Sequence, residues 1–199
     1  MRCRILAATV LVAVTATLAF ADDPKAKAAA KEKAEMEAMM KAATPGDAHK
    51  KLGPMAGTFN ANVKMWTQPG APPTGGDGVA ENSWALDGRF LEQRFTGTFM
   101  GMPFRGVGYT GYDNIKKKYI GTWMDSMSTS MMVSSGKADA GGKSFTFTST
   151  MADPMTGKSS EIKEKVTIVD DDHHTLEMWG AGPDGKMFRM MEITYTRKK

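Results

Sequence analysis

The segment from Gly57 to the C-terminus consists of short stretches rich in Thr, Val, Phe, Tyr, Trp and Met, separated by turn sequences. Alternating apolar and polar residues over such short stretches predict β-strands. The predicted strands are Thr58 to Trp66, Gly78 to Leu86, Arg89 to Phe99, Phe104 to Tyr112, Lys118 to Met127, Thr129 to Lys137, Ser144 to Met151, Glu161 to Asp170, Thr175 to Trp179 and Lys186 to Arg197. Their short connections contain Asp-Gly, Asp-Asn and Gly-Gly pairs, which suit tight hairpin turns.

A row of consecutive antiparallel strands exposes two unpaired edges unless the sheet closes on itself. A meander of this length closes most simply into an up-and-down barrel. We therefore predict an all-β protein, with an up-and-down antiparallel β-barrel of about ten strands over residues 57–199. Barrels of this size can enclose one small ligand.

The N-terminus has the pattern of a secretory signal peptide. In order, it contains Arg2 and Arg4, an apolar run from Ile5 to Leu18, and the tripeptide Ala19-Phe20-Ala21. The run is shorter than the roughly 20 apolar residues of a membrane-spanning helix. We expect residues 1–21 to be removed near Ala21, giving a secreted or periplasmic chain without a membrane span. The mature chain would then lack cysteine, because Cys3 is the only one.

Residues 22–56 are predicted to form a helix and a linker. The stretch from Pro24 to Ala43 is mostly Ala, Lys, Glu and Met, contains neither Gly nor a β-branched residue, and has the composition of a helix. The Thr-Pro-Gly sequence at residues 44–46 ends it.

The mature chain is nearly balanced in charge. Removing Arg2 and Arg4 from 26 basic residues leaves 24 against 22 acidic residues, a net charge of about +2. The basic runs 116–118 and 197–199 lie beside a turn and at the chain end. We therefore predict no nucleic-acid partner, and the sequence does not indicate an oligomeric state.

Several motifs recur in the order of a known protein family. They are Pro45-Gly46 with His49 and Leu52, Gly57-Thr58-Phe59, Gly88-Arg89-Phe90-Leu91, Gly101-Met102-Pro103-Phe104 with Gly106 and Gly108, Gly111-Tyr112-Asp113, Lys118-Tyr119, Trp123-Met124-Asp125-Ser126-Met127, Asp153-Pro154-Met155-Thr156-Gly157 and Met191-Glu192-Ile193-Thr194-Tyr195. Over roughly Ala43 to Lys199 the chain resembles the bacterial domain of unknown function 1579 family. The resemblance implies a calycin-like barrel, similar in shape to lipocalins and fatty-acid-binding proteins, and no established activity.

The sequence from Gly106 to Gly111 matches the dinucleotide-binding pattern G-x-G-x-x-G. That motif needs a helix that begins within it. Here it lies inside a predicted strand, so we interpret its alternate glycines as space for a large neighbour such as Trp123.

The histidines do not have the spacing of a metal site. His173 and His174 are adjacent, so on a strand they point to opposite faces, and no spaced partner accompanies them. We predict no metal site and no cofactor, and we identify no catalytic residue.

We predict that a small, largely apolar molecule binds inside the barrel. Glu164 shares a predicted strand face with the apolar Ile162 and Val166, and Arg189 shares one with Met191, so both are candidates for interior polar groups. The candidate ligand-binding residues are Trp84, Glu92, Arg94, Tyr109, Trp123, Met124, Asp125, Glu164, Met178, Met187 and Arg189.

Two alternatives remain open. An enzyme could use the same cavity, with Asp125, Glu92 or Glu164 as the acid or base. The chain is also rich in methionine, since 18 residues less Met1 leaves 17. Methionine adapts to apolar ligands, binds Cu(I) through its thioether, and can be reversibly oxidised, so copper or oxidant handling is the other alternative.

Overall fold

The computed structural model describes residues 23–153, 156–182 and 184–199. The signal peptide predicted for residues 1–21 lies outside these ranges. The chain divides into one unit that ends at Met39 and another from Met40 to Lys199, and each is described by itself. Within the described ranges, no helix has the length and apolar character needed to cross a membrane.

The helices lie before the strands. Helix α1, Pro24–Ala43, has the predicted bounds and carries ion pairs between Lys31 and Glu35 and between Lys33 and Glu37, one turn apart. A short helix α2, Asp47–Lys50, and a 3₁₀ helix, Gly53–Met55, follow it.

Ten antiparallel strands form a closed barrel in which each strand pairs with its neighbour in sequence and the first pairs with the last. They are β1 Gly57–Met65, β2 Thr74–Ala85, β3 Phe90–Phe99, β4 Met102–Asp113, β5 Lys118–Asp125, β6 Met132–Ala138, β7 Ser144–Ala152, β8 Ser159–Ile168, β9 His173–Ala181 and β10 Met187–Arg197. The predicted fold class, an up-and-down barrel of about ten strands with an N-terminal helix, is confirmed.

Two strand starts differ clearly from the prediction. Strand β2 begins at Thr74 rather than Gly78, because Gly75 and Gly76, although typical turn residues, belong to the strand. At Gly75 the neighbouring strand is so close that a Cβ would come within 2.8 Å of the Val63 carbonyl carbon. Strand β6 begins at Met132 rather than Thr129. The preceding residues form a serine turn, in which the Ser130 amide donates to Ser128 Oγ at 3.0 Å.

One end of the barrel is covered by α2 and the 3₁₀ helix. Leu52 and Met55 are buried against Leu91, Phe145 and their neighbours from four strands. The Tyr119 hydroxyl also donates to the Ala48 carbonyl at 2.9 Å. We call this end the floor and the opposite end, where β1 finishes and β2 begins, the rim.

The glycines of the G-x-G-x-x-G sequence make room for Trp123, as predicted. A Cβ at Gly106 would lie 3.0 Å from Trp123 Cε2 and still closer to other ring atoms, and one at Gly108 would lie 2.9 Å from Trp123 Cε3. The indole therefore lies flat against the inner surface of β4, and a larger residue at either position would displace it.

The guanidinium of Arg197 joins the last strand to the floor. It donates to the carbonyls of Ala56 at 2.8 Å, Pro54 at 2.8 Å and Asp171 at 2.7 and 2.9 Å, and it lies over the Phe59 ring, 4.5 Å from the centroid. Gly57 has a φ of +125° directly beside it, and a Cβ there would overlap the guanidinium.

We expect Arg197→Lys to lower the free energy of unfolding by about 3 kcal/mol, because a lysine ammonium cannot reproduce the fork of hydrogen bonds to three carbonyls. Urea unfolding measures the change. Arg94→Lys is the matched control, since Arg94 is 64% exposed on the barrel exterior, and it should change stability by less than about 0.5 kcal/mol. Equal effects of the two substitutions would contradict this role of Arg197.

Candidate ligand cavity

A cavity of about 570 Å³ occupies the interior of the barrel. This volume lies within the range of small-molecule sites, roughly 300–1,000 Å³. At the rim its wall includes Met127 and Met151, which are 49% and 42% exposed, so the cavity is reached from solvent at that end.

Most of the wall is apolar. The methionines in it are Met55, Met65, Met127, Met132, Met151, Met178, Met190 and Met191. Aromatic rings are supplied by Phe95, Phe99, Phe104, Trp123 and Tyr195, and aliphatic side chains by Val63, Leu91, Val166, Leu176 and Ile193. Thioethers next to aromatic rings form a surface that fits apolar molecules of varied shape.

Glu164 is the most buried acidic side chain of the wall, at 7% exposure. It lies halfway along β8, paired with Phe147 of β7 and Met178 of β9. Burial raises the pKa of its carboxyl, and a hydrogen bond donated by Ser149 to Oε1 at 3.2 Å opposes that shift. The sequence interpretation of Glu164 as an interior group is confirmed by this position.

Four polar side chains form a cluster near the floor. Asn82 donates to the Met55 carbonyl at 2.7 Å and leaves its Oδ1 without a hydrogen-bond partner within the described residues. Burial raises the pKa of Tyr195, and a hydrogen bond with Gln93 opposes that rise. His174 completes the cluster.

The imidazole of His174 is enclosed by aromatic rings. It is 4% exposed, stacks on Tyr195 with centroids 4.3 Å apart, and meets the Phe59 ring edge-on at 4.6 Å. Burial and, to a smaller extent, the nearby charge of Arg197 lower the pKa of His174 to about 4. The ring is therefore uncharged at neutral pH.

Four of the predicted ligand-binding residues project into the cavity. They are Trp123, Asp125, Glu164 and Met178. Tyr109 also belongs to the wall, but it pairs with Glu92 and Thr122, on the face opposite to that of Gly108 and Trp123. Its side chain therefore belongs to the exterior set, and its backbone contributes to the wall.

Four other predicted residues do not line the cavity. On β3 the inward set is Leu91, Gln93 and Phe95, so Glu92 and Arg94 lie outside, where they form an ion pair with each other. Met124 follows Trp123 and takes the outward position on β5 for the same reason. Trp84 is 39% exposed near the floor end of β2.

A β-bulge corrects the prediction for Arg189 and Met187. The pairing of β10 with β9 shifts between Arg189 and Met191, so Arg189 pairs with Trp179 and Met191 with Met178. The extra residue, Met190, reverses the inward and outward positions beyond it. Arg189 therefore lies outside the barrel, 3.0 Å from Glu177, and Met187 lies outside with it.

The sequence comparison identifies the family. A protein-family model described as "Protein of unknown function (DUF1579)" matches residues 44–197 of the sequence. This chain belongs to the DUF1579 family. Among curated proteins, none matches it.

Three solved structures are similar to this DUF1579 protein to different degrees. The crystal structure of Rv2717c from M. tuberculosis superposes with a TM-score of 0.58 at 13% identity, over 78% of this chain and 100% of that one. A redesigned β-barrel gives 0.37 at 14% identity, over 76% and 96%. A protein with unknown function from the DUF3598 family of Nostoc punctiforme gives 0.23 at 5% identity, over 77% and 100%. The first likeness supports the barrel fold alone.

The histidines of this DUF1579 protein have separate surroundings. His173 is exposed and contacts Asp170 at 2.8 Å, whereas His174 faces the interior. Within the described ranges, no three His, Cys, Asp or Glu side chains are grouped so that they could hold a metal ion.

The pKa of His174 is lower in the folded state than its unfolded value of 6.5. The buried, uncharged imidazole therefore makes its full contribution to folding stability above pH 6.5. That contribution is lost as the pH falls through about 4, and it amounts to about 3 kcal/mol at 1.36 kcal/mol per unit.

We expect His174→Phe to lose less stability than the wild type between pH 7 and pH 4 in urea unfolding. Identical pH profiles of the wild type and His174→Phe would refute the assignment.

Proposed function

We propose that this DUF1579 protein binds a small, largely apolar molecule inside its barrel. The observation that carries the proposal is the cavity of about 570 Å³, open at the rim, whose wall is mostly methionine, aromatic and aliphatic side chains with a few polar groups. Concave, mainly apolar sites with few polar groups are the usual form of small-molecule pockets.

The distribution of the methionines in the cavity wall favours an adaptable apolar site over a copper site. They come from the 3₁₀ helix, from strands β1, β6, β7, β9 and β10, and from the loop after β5. Phenylalanine, leucine and isoleucine side chains lie among them. Flexible thioethers distributed in this way can repack around ligands of different shape.

An enzyme acting in the same cavity is a second candidate, and Glu164 favours it. Burial raises the pKa of its carboxyl, which is the direction of shift that suits a general acid. Turnover that is abolished by Glu164→Gln and retained in Asp125→Asn would identify such an enzyme.

We also propose that the protein is exported, on the basis of its N-terminal sequence. Expressed in a bacterium with a Sec pathway, the full chain should lose residues 1–21 and begin at Asp22. N-terminal sequencing of the protein recovered from periplasm and medium tests this. Recovery of uncleaved chain from the cytoplasm alone would contradict export.

The ligand-binding proposal predicts saturable binding of the neutral fluorophore N-phenyl-1-naphthylamine. Met178→Trp adds bulk inside the cavity beside Glu164, so the affinity should fall by about tenfold or more. Met187→Trp, on the exterior, should change it less than about twofold. Fluorescence titration measures both, and circular dichroism confirms that each variant folds.

Two results would contradict ligand binding in the barrel. One is the absence of saturable fluorescence with the wild-type protein. The other is an equal affinity of the wild type and a folded Met178→Trp variant. Where the titrations show saturable binding, native mass spectrometry of the protein recovered after export identifies the natural ligand as a defined added mass.

A further inference from the structure

The wall of the cavity contains acidic but no basic side chains among the described residues. Asp125 and Glu164 are its carboxyl groups, and neither lysine nor arginine lines it. His174 carries no charge at neutral pH. The guanidinium of Arg197 lies beneath the Phe59 ring, bound to backbone carbonyls. An anionic ligand would therefore find no counter-charge in the wall.

The two carboxyl groups differ in how far the protein satisfies them. Asp125 accepts hydrogen bonds from Trp123 Nε1 at 3.0 Å and from the Met127 amide at 2.9 Å. Glu164 accepts one, from Ser149 at 3.2 Å to Oε1. No hydrogen bond from the described residues reaches its Oε2, and this atom is not among the fully enclosed side-chain atoms, so it faces the cavity although the residue is only 7% exposed.

The neighbours of Glu164 cannot neutralise it. Its direct partners across the sheet are Phe147 on β7 and Met178 on β9. The other titratable side chains that face the cavity are Asp125, His174 and Tyr195, none of which is a cation at neutral pH. A buried carboxyl with a single hydrogen bond is costly unless a counter-charge reaches it.

We infer that the cavity selects amphiphilic amines, whose ammonium group pairs with Oε2 of Glu164 while the apolar body extends toward the rim. This inference rests on the proposed function and names the ligand class for the same site. The part of the wall toward the rim carries Met65, Met132 and Met151, which suits an alkyl or aromatic body. Aromatic faces such as Phe95 and Trp123 also attract an organic cation.

Three chain-matched probes test the inference: decylamine, decanol and decanoate, each titrated below its micelle concentration at pH 7.5. At this pH the amine is cationic, the alcohol neutral and the acid anionic. We expect decylamine to bind about tenfold or more tightly than decanol, and decanoate to bind most weakly. Displacement of N-phenyl-1-naphthylamine from the mature protein reports all three affinities.

Substitutions then locate the charge that selects the amine. Glu164→Gln should bring decylamine to within about threefold of decanol, because it removes the counter-charge and keeps the side-chain shape. Glu161→Gln is the matched control on the same strand, where Glu161 is exposed and paired with Lys163, and should retain the preference.

Proton release gives a measurement on the wild-type protein that needs no variant. Burial raises the pKa of the Glu164 carboxyl, and a paired ammonium lowers it again, so protons held by the carboxyl pass to the buffer when the amine binds and the amine stays charged. Calorimetry over a series of acidic pH values, in two buffers of different ionisation heat, should therefore show more proton release with decylamine than with decanol.

Each remaining outcome has a defined meaning. Equal binding of amine and alcohol, tighter binding of decanoate, a preference that survives Glu164→Gln, or a preference lost in Glu161→Gln would overturn the inference while leaving apolar ligand binding intact. Failure of all three probes to displace the fluorophore, together with no saturable fluorophore binding, would instead overturn the proposed function itself.

Discussion

The pairing of β1 with β10 is the contact on which the rest of this structure depends. Its register, from Phe59 opposite Arg197 to Met65 opposite Met191, closes the sheet and removes both free edges. In a closed antiparallel sheet, directly opposed residues share a face. The inward or outward position of one side chain therefore determines the positions of its partners on all ten strands. The residues that face the cavity for this reason include Glu164, Met178, Trp123 and Gly108.

Sequence alternation could predict much of this arrangement. It placed Ile162, Glu164 and Val166 on one face, and Trp123 with Asp125 on one face, and the closed barrel has them so. On β3 the inward set Leu91, Gln93 and Phe95 contains two apolar residues, which was a usable signal that Glu92 and Arg94 face outward. The bulge at Met190 has only a weak sequence signal: the adjacent apolar residues Met190 and Met191 break the alternation, but no glycine marks which residue is the extra one.

The polar cluster at the floor shows a different limit of sequence reasoning. Gln93 and Tyr195 lie about a hundred positions apart in the sequence, and only the register of three strand pairs brings them into contact. The inward position of His174 could have been predicted with a longer strand. Strand β9 begins at His173 rather than Thr175, so His174 alternates in phase with Leu176 and Met178. The contacts of Arg197 with the Pro54 and Ala56 carbonyls cannot be predicted from the side chains of these two residues, because backbone atoms accept the hydrogen bonds.

Stability of the barrel alone gives no reason for Glu164. The position lies between Phe147 and Met178 and faces an apolar wall, where leucine or methionine would be buried without desolvating a charge. A single hydrogen bond from Ser149 contributes about 1–3 kcal/mol at most when its acceptor is ionised, less than the penalty of burying that charge. Asp125, by contrast, holds Trp123 and the Met127 amide and is explained by those contacts. The two carboxyl groups of the cavity therefore call for different explanations: Asp125 orders the rim, whereas the single hydrogen bond from Ser149 does not account for a carboxyl at position 164.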